Sequence, residues 1–216
     1  MKIIFEDNHL LVVEKPINIP MQEDDSKDDD LLSLGKKYIK EKYNKPGNVY
    51  LGLVHRLDRP VSGICVFAKT SKAASRLTKQ IQDHTFKKEY CAIVEDNNLE
   101  NEGHFEDYLL KDPKTNTVTV NNKGKLAILD YKVIKKNSNL ALVKINLQTG
   151  RSHQIRVQFS SRNHSLWGDQ KYNKKATIGQ QIALHSTSIT FNHPITNEVL
   201  TFKSQTTRKP FDLFLK

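Results

Sequence analysis

Residues 49–69, VYLGLVHRLDRPVSGICVFAK, carry the pattern from which the architecture can be read. Val49–Val54 predicts a strand that runs directly into His55, and Ile64–Lys69 predicts a second, because both runs are rich in aliphatic and β-branched residues. Between them lies a polar cluster, HRLDRPVSG from His55 to Gly63, with Pro60 and Ser62-Gly63 as turn formers. Loops held by rigid strands are where catalytic groups concentrate. A helix is predicted next, from about Ser71 to Asp83, since Ala73, Ala74, Leu77 and Ile81 fall on one face.

Toward the N-terminus, Ile3–Phe5 and Leu10–Glu14 are short β-rich runs on either side of the turn signal Asp7-Asn8, and Lys15-Pro16 ends the second. The acidic stretch Glu23–Asp30 favours a helix N-terminus. Leu31, Leu34, Tyr38 and Ile39 then recur at helical spacing, which predicts a helix from about Leu31 to Tyr43, closed by Pro46-Gly47. Toward the C-terminus, Tyr90–Glu95 is a strand, a polar stretch of little periodicity follows, and Leu126–Ile134 pairs with Leu140–Leu147 across Asn137-Ser138-Asn139. A helix is expected after Gly150. The tail alternates Ile182–Ile189 and Val199–Phe202 around the Asn192-His193-Pro194 turn. Strands outnumber helices and hairpin connections dominate, so the class is α+β with a mixed, largely antiparallel sheet. With 216 residues and no repeat or long linker, a single domain spanning residues 1–216 is expected.

Hydrophobic residues make up 37% of the chain and charged residues 27%, too apolar for disorder, and no apolar run approaches the roughly 18 residues of a membrane span. The start, Met-Lys-Ile-Ile-Phe-Glu-Asp, lacks the apolar core and cleavage site of a secretory signal. Cys65 and Cys91 lie in apolar strand-like runs without metal-ligand spacing and read as buried thiols, so a cytoplasmic location is expected. Lys and Arg total 34 against 24 Asp and Glu, a formal net charge of +10 that suits a polyanion such as nucleic acid. A solvated basic surface accounts for the charge equally well, so motifs must decide.

Within the polar cluster, Asp58 is flanked by Arg56 and Arg59, and a carboxylate near fixed guanidinium charge stays ionised, as a nucleophile must. The plain alternative is an aspartate capping a turn between surface arginines. Leu147–Arg156, LQTGRSHQIR, sets Arg151, Ser152, His153, Gln154 and Arg156 just beyond a strand and Gly150, a dense set of donors suited to phosphate. An exposed polar helix start is its alternative.

Together these segments resemble the RluA family of RNA pseudouridine synthases. The family pattern HRLDxxTSG is matched by HRLDRPVSG, except that Val61 stands where Thr is usual. Further similar segments are KEYCAIV (Lys88–Val94), TGRSHQIRV (Thr149–Val157), GDQKY (Gly168–Tyr172) and ALHSTSITFNHP (Ala183–Pro194), in family order over nearly the whole chain. Gln158 stands where the family commonly has His, and Asn173 where Gly usually follows the tyrosine. The resemblance is to a stand-alone catalytic domain without the S4-like module that many relatives carry.

The resemblance implies the pseudouridine synthase fold, with helices flanking the sheet and a central RNA-binding cleft, and an activity that needs neither cofactor nor metal. Uridine in a structured ribosomal or transfer RNA, in a compact stem-loop, would be cleaved at its N-glycosidic bond and rejoined through carbon 5. The matching nucleophile is Asp58, acting at the anomeric carbon through a glycal or by addition to the base. Tyr90 matches the aromatic group that stacks on the target base, and Arg156 the basic group that pairs with the aspartate, with Arg151 as the alternative or as a phosphate contact. Arg56 matches the arginine that fills the place of the flipped nucleotide. His55, His153 and Gln154 are expected to bind and orient substrate rather than to act as acids or bases. Lys69, Lys72, Arg76, Lys79, Lys87 and Lys88 are candidates for backbone contacts. A monomer without membrane or obligate protein partner is expected.

Three rivals compete. A non-enzymatic RNA-binding protein of the same fold would keep the charge but does not need Asp58, Tyr90 and Arg156. A kinase-type HRD loop is broken by Leu57, and no glycine-rich loop or DFG segment accompanies it. A zinc nucleobase deaminase lacks its HxE and PCxxC ligands.

Overall fold

A computed structural model describes residues 1–214. In chain order its elements are β1 (Lys2–Glu6), β2 (Leu10–Lys15), α1 (Leu31–Lys42), β3 (Gly52–Leu53), β4 (Ser62–Ala68), α2 (Ser71–Gln82), β5 (Lys87–Glu95), β6 (Glu102–Asp112), β7 (Thr117–Val120), β8 (Lys125–Asn137), β9 (Leu140–Leu147), α3 (Gln154–Ser160), β10 (Leu184–Asn192), β11 (Val199–Lys203) and a 3-10 turn, Phe211–Phe214. They fall into two compact units. The first holds Met1–Lys87 with Ser186–Ser204, and the second Lys88–His185 with the segment from Gln205.

In the first unit the strand order is β1-β2-β4-β10, with β3 also on β4 and β11 on β10. Pairings β1·β2, β2·β4, β3·β4 and β10·β11 are antiparallel. Strands β2 and β4 are buried along almost their whole length. That requires cover on both faces, which is why they read as continuous apolar runs instead of alternations. Leu10, Val12, Ile64 and Val66 share one core with Ala73 and Leu77 of α2 and with Phe86, Ile189 and Phe191. Leu11, one residue out of phase, points the other way: a Cβ on Gly35 of α1 would lie 3.6 Å from its Cδ2. Each such side chain contributes about 1.5–3 kcal/mol when fully buried. The helices are started by side chains of the expected kind, Asp30 accepting from the Ser33 N–H at 2.9 Å and Thr70 from that of Ala73 at 3.2 Å.

The second unit has the strand order β5-β9-β8-β6-β7, all pairs antiparallel. Helix α3 packs on it through Val157, which joins Leu109, Val118 and Ala127, and through Phe159, whose ring meets Phe105 and Tyr131 at 5.0 and 5.3 Å. Six of its seven residues are buried. So short a helix is not stable alone and depends on this packing.

The α+β class, the largely antiparallel pairing and the helices flanking the strands are as expected. Three elements differ. The strand expected over Val49–Val54 shrinks to Gly52–Leu53, because Leu51 is drawn against Gly35 of α1 and the chain then leaves the ladder for the polar loop. The polar stretch after Glu95 contains β6 and β7. Along β6 the fully buried positions are Phe105 and Leu109 alone, with charged residues between them, so the alternation of a one-sided strand was diluted. Of the acidic stretch, only Asp30 caps α1, and the first turn itself holds no acid.

At the edge of the first unit Glu6 gathers Lys42 (2.7 Å), Lys69 (2.6 Å), Tyr38 (2.9 Å) and Tyr43 (2.9 Å), joining β1 to α1 and to the end of β4. Burial pushes its carboxyl up, but these donors outweigh burial and hold it down to about 2. A folded value below the unfolded 4.5 gives stability that is complete above that value and is lost as pH falls through about 2. Allowing for screening around the half-exposed Lys42, Glu6→Gln should cost about 1–2 kcal/mol at neutral pH. Urea titrations of both proteins should show the gap closing between pH 4.5 and 2; a gap independent of pH would refute this account.

Candidate active site

Asp58 lies on the loop between β3 and β4, in the tight turn closed by the Val61 N–H donating to the Asp58 carbonyl at 2.9 Å. Leu57 and Val61 are buried on either side of it and pin the turn to the core, while Arg56 is exposed. His55 fastens the start of the loop: its Nε2 accepts from the Val66 N–H at 3.1 Å, and its ring lies 5.5 Å from Phe86. It therefore orients the loop as an acceptor. At the far end Gly63 has φ +121°, and a Cβ there would stand 2.3 Å from the Ser186 carbonyl of β10, so only glycine permits this approach.

The loop rests on a residue that in sequence reads only as the end of a strand. Lys15, at the end of β2, has no exposed surface, and its ammonium donates to the carbonyls of Pro16 (3.0 Å), Arg59 (2.8 Å) and Val61 (2.7 Å). Three N–H groups meet three carbonyls, two of them within the Asp58 turn. Burial pushes Lys15 down to about 8, against an opposing pull from Cys65 and Asp58, so at neutral pH it remains a cation. Arg59, expected to supply that positive charge, points elsewhere. Its guanidinium bonds Asp28 and the Ser26 hydroxyl (2.9 Å) and lies 3.6 Å from Asp24, both acids belonging to the acidic stretch before α1.

In the second unit Tyr90 is buried on β5, opposite Ile145 of β9. Arg156, on the first turn of α3, is buried and makes a two-bond contact with Asp169, Nε to Oδ2 at 2.8 Å and Nη2 to Oδ1 at 2.7 Å. Asp169 is fully enclosed and also accepts from the Lys171 and Tyr172 N–H groups. The Tyr172 ring lies 5.1 Å from the Arg156 guanidinium, and its hydroxyl accepts from the Val118 N–H (2.9 Å) and meets His153 Nδ1 at 2.7 Å. His153 precedes α3 with φ 51° and ψ 20°, a left-handed conformation that is uncommon outside glycine and sets the rotational phase of the helix. Gln154 is buried and structural: its Oε1 accepts from the Arg151 N–H (3.0 Å) and the Thr149 hydroxyl (2.8 Å), and its Nε2 donates to Ile128 O. Arg151 is exposed, its Nε tied to Leu126 O at 2.8 Å. Asp169 and Tyr172 were visible only as part of GDQKY and had been assigned nothing.

The three departures from the family pattern are absorbed as packing. Val61 is core. Gln158 is fully buried and donates to Asp107 (2.8 Å), Ala127 O (3.1 Å) and Phe105 O (3.3 Å). Asn173 donates to Glu95 and Leu166 O, both at 3.1 Å. Among the basic residues, Lys69 is spent on Glu6 and Arg76 bonds Pro194 O, whereas Lys72, Lys79 and Lys87 are exposed.

Residues 9–161 match the family described as RNA pseudouridylate synthase. The chain is 35% identical to ribosomal large subunit pseudouridine synthase D of Zymomonas mobilis, over 95% of this chain and 69% of that protein. It is also 35% identical to the uncharacterized RNA pseudouridine synthase YhcT of Bacillus subtilis, over 93% of this chain and 67% of that protein. Among solved structures, human RNA pseudouridylate synthase domain containing 4 superposes with a TM-score of 0.80 at 20% identity, covering 96% of this chain and 89% of that one, and establishes the fold.

Lys15→Met leaves three carbonyls without a donor, a loss of about 1–3 kcal/mol each that removal of a buried charge only partly offsets. Lys15 sits below its unfolded value of 10.5, so its burial costs stability at neutral pH and that cost is relieved as pH rises from about 8 toward 10.5. Denaturation curves should therefore show the wild type more stable at pH 7 and the gap widening at higher pH; a narrowing gap would contradict the assigned burial. Asp169→Asn, by breaking a buried ion pair, should lower stability by about 3 kcal/mol. A melting temperature within a degree of wild type would show that Asp169 is not what holds Arg156.

Proposed function

The chain belongs to the RNA pseudouridylate synthase family and is an enzyme that isomerises uridine in RNA to pseudouridine; from that premise we propose that Asp58 is its nucleophile and that the substrate is a stem-loop of ribosomal RNA. The observation that carries the first part is the mounting of Asp58 on a turn that the buried Lys15 cation grips through the Arg59 and Val61 carbonyls. Such a mounting limits the motion of the carboxylate, a requirement of a nucleophile that must meet one carbon atom.

In the proposed reaction the Asp58 carboxylate acts at C1′ as the N1–C1′ bond breaks. The uracil turns, C5 bonds to C1′ as the carboxylate departs unchanged, the proton on C5 leaves and N1 gains one, so no atom is lost and no oxidant or reductant is consumed. Tyr90 is assigned to stacking on the uracil, and Arg156, its own geometry fixed by Asp169, to supplying the basic group of the reaction. Arg56, exposed on the loop, is assigned to the place vacated by the flipped nucleotide, and Arg151 to a phosphate. His55, His153 and Gln154 hold the two segments in shape. We read residues 1–216 as a single monomeric catalytic domain.

Ribosomal RNA is favoured over transfer RNA because the Zymomonas relative, like several others, is named for the large ribosomal subunit. Both cysteines are unpaired thiols, which suits the reducing cytoplasm. No helix among the described residues is long and apolar enough to cross a membrane.

Pseudouridine mapping of total RNA from cells lacking this protein, complemented with wild type or with Asp58→Asn, tests the proposal. One or a few ribosomal sites should vanish and return with wild type alone. Restoration of every site by Asp58→Asn would remove Asp58 as nucleophile, and an unchanged map would favour a non-catalytic RNA-binding protein.

A further inference from the structure

We propose that Lys88 and Arg151 form an anion site that takes a phosphodiester of the substrate RNA next to the target uridine. The inference rests on the pseudouridine synthase reading and extends it to a residue the reaction does not otherwise use.

Lys88 is only 6% exposed, yet no carboxylate or hydrogen-bond acceptor stands against its amine among the described residues. Its stem is buried, but its Nζ is not among the sealed side-chain atoms, so a ligand can reach the tip. The amine lies over the Thr149–Arg151 turn: a Cβ on Gly150 would be 3.0 Å from Lys88 Nζ, so the missing side chain keeps the approach open. Arg151 belongs to the same turn and its charge is felt by the Lys88 amine, while its Nε donates to Leu126 O at 2.8 Å. The neighbouring acid, Glu89, is on the other side of the strand and pairs with Lys144 at 2.8 Å. Burial, and after it the Arg151 charge, pushes Lys88 down to about 8. Two cations thus lie close enough to repel, and among the described residues no carboxylate is paired with the Lys88 amine, an arrangement that costs free energy until an anion binds.

A phosphodiester has the required single negative charge and two unbridged oxygens, one for each cation. The placement selects RNA. Lys88 and Tyr90 are alternate residues of β5 and share its buried face, so the amine stands one strand repeat from the ring assigned to the uracil. A nucleotide whose base lies on Tyr90 would bring its own backbone to Lys88.

The test uses RNA from cells lacking the protein, tritiated at uridine C5, so that release of the C5 proton counts turnovers. Lys88→Met should raise KM about tenfold, leave kcat within about threefold, and flatten the dependence of log KM on log salt by about one phosphate contact. Lys88→Arg should restore most of the affinity. In the wild type, acylation of Lys88 at pH 8, read by mass spectrometry, should be suppressed by the same RNA, a measurement that needs no folded variant. A Lys88→Met enzyme with unchanged KM, or Lys88 acylated equally with and without RNA, would overturn the proposal. If the wild type released no tritium, the pseudouridine synthase assignment would fall, and protection of Lys88 would still decide whether the anion site exists.

Discussion

A lysine with no exposed surface sits under the turn that carries Asp58, and the shape of that turn depends on it. An ammonium in that position is tolerated only if every N–H has an acceptor, since a buried, unpaired charge is among the most costly defects a fold can hold. The loop supplies two acceptors, the Arg59 and Val61 carbonyls, while Pro16, just past β2, supplies the third. The dependence is mutual: the loop has its shape because Lys15 needs those carbonyls, and Lys15 stays charged because the loop provides them and Asp58 adds its negative field. Gly63 and Leu57 complete the constraint, one allowing β10 to approach and the other anchoring the turn in the core.

The second unit solves a related problem with a different charge. A helix of two turns carries Arg156 into the interior, where Asp169 meets it through two bonds and Tyr172 covers its face. Tyr172 then reaches His153, whose left-handed backbone starts the helix, so the residue that sets the phase of α3 and the residue that covers Arg156 are locked together at 2.7 Å. Gln158 does the same further along, tying α3 to β6 and β8. The arginine is held by several side chains at once, which fixes its geometry.

What the sequence revealed and what it concealed follow from the range of the interactions. Strands such as β2, β4 and β9, the helices α1 and α2, and the HRLD loop were legible because periodicity, caps and turn residues are local. Lys15 was not, since a lysine at the end of LLVVE reads as a strand terminator and two of its acceptors lie 44 and 46 residues away. Which of Arg151 and Arg156 is buried also depends on one backbone conformation, at His153, that no periodicity reports. Arg59 misled for the opposite reason: it stands beside Asp58 in sequence, yet its partners, Asp24, Ser26 and Asp28, come from the stretch read as a helix start.

Lys15 and Lys88 together show why burial alone does not identify function. Both are buried and both are pushed to about 8 by the loss of solvent. Lys15 has three carbonyls in reach and a carboxylate nearby, so its contacts are complete within the fold and its role is to hold the Asp58 turn. Lys88 has a second cation for a neighbour and an amine that solvent can reach. A fold has no structural reason to enclose a charge it does not neutralise, because an apolar side chain of similar length would fill the same space at lower cost. The retained charge is explained if the missing counter-ion arrives with the substrate, and in an RNA-modifying enzyme the abundant anion is the phosphodiester.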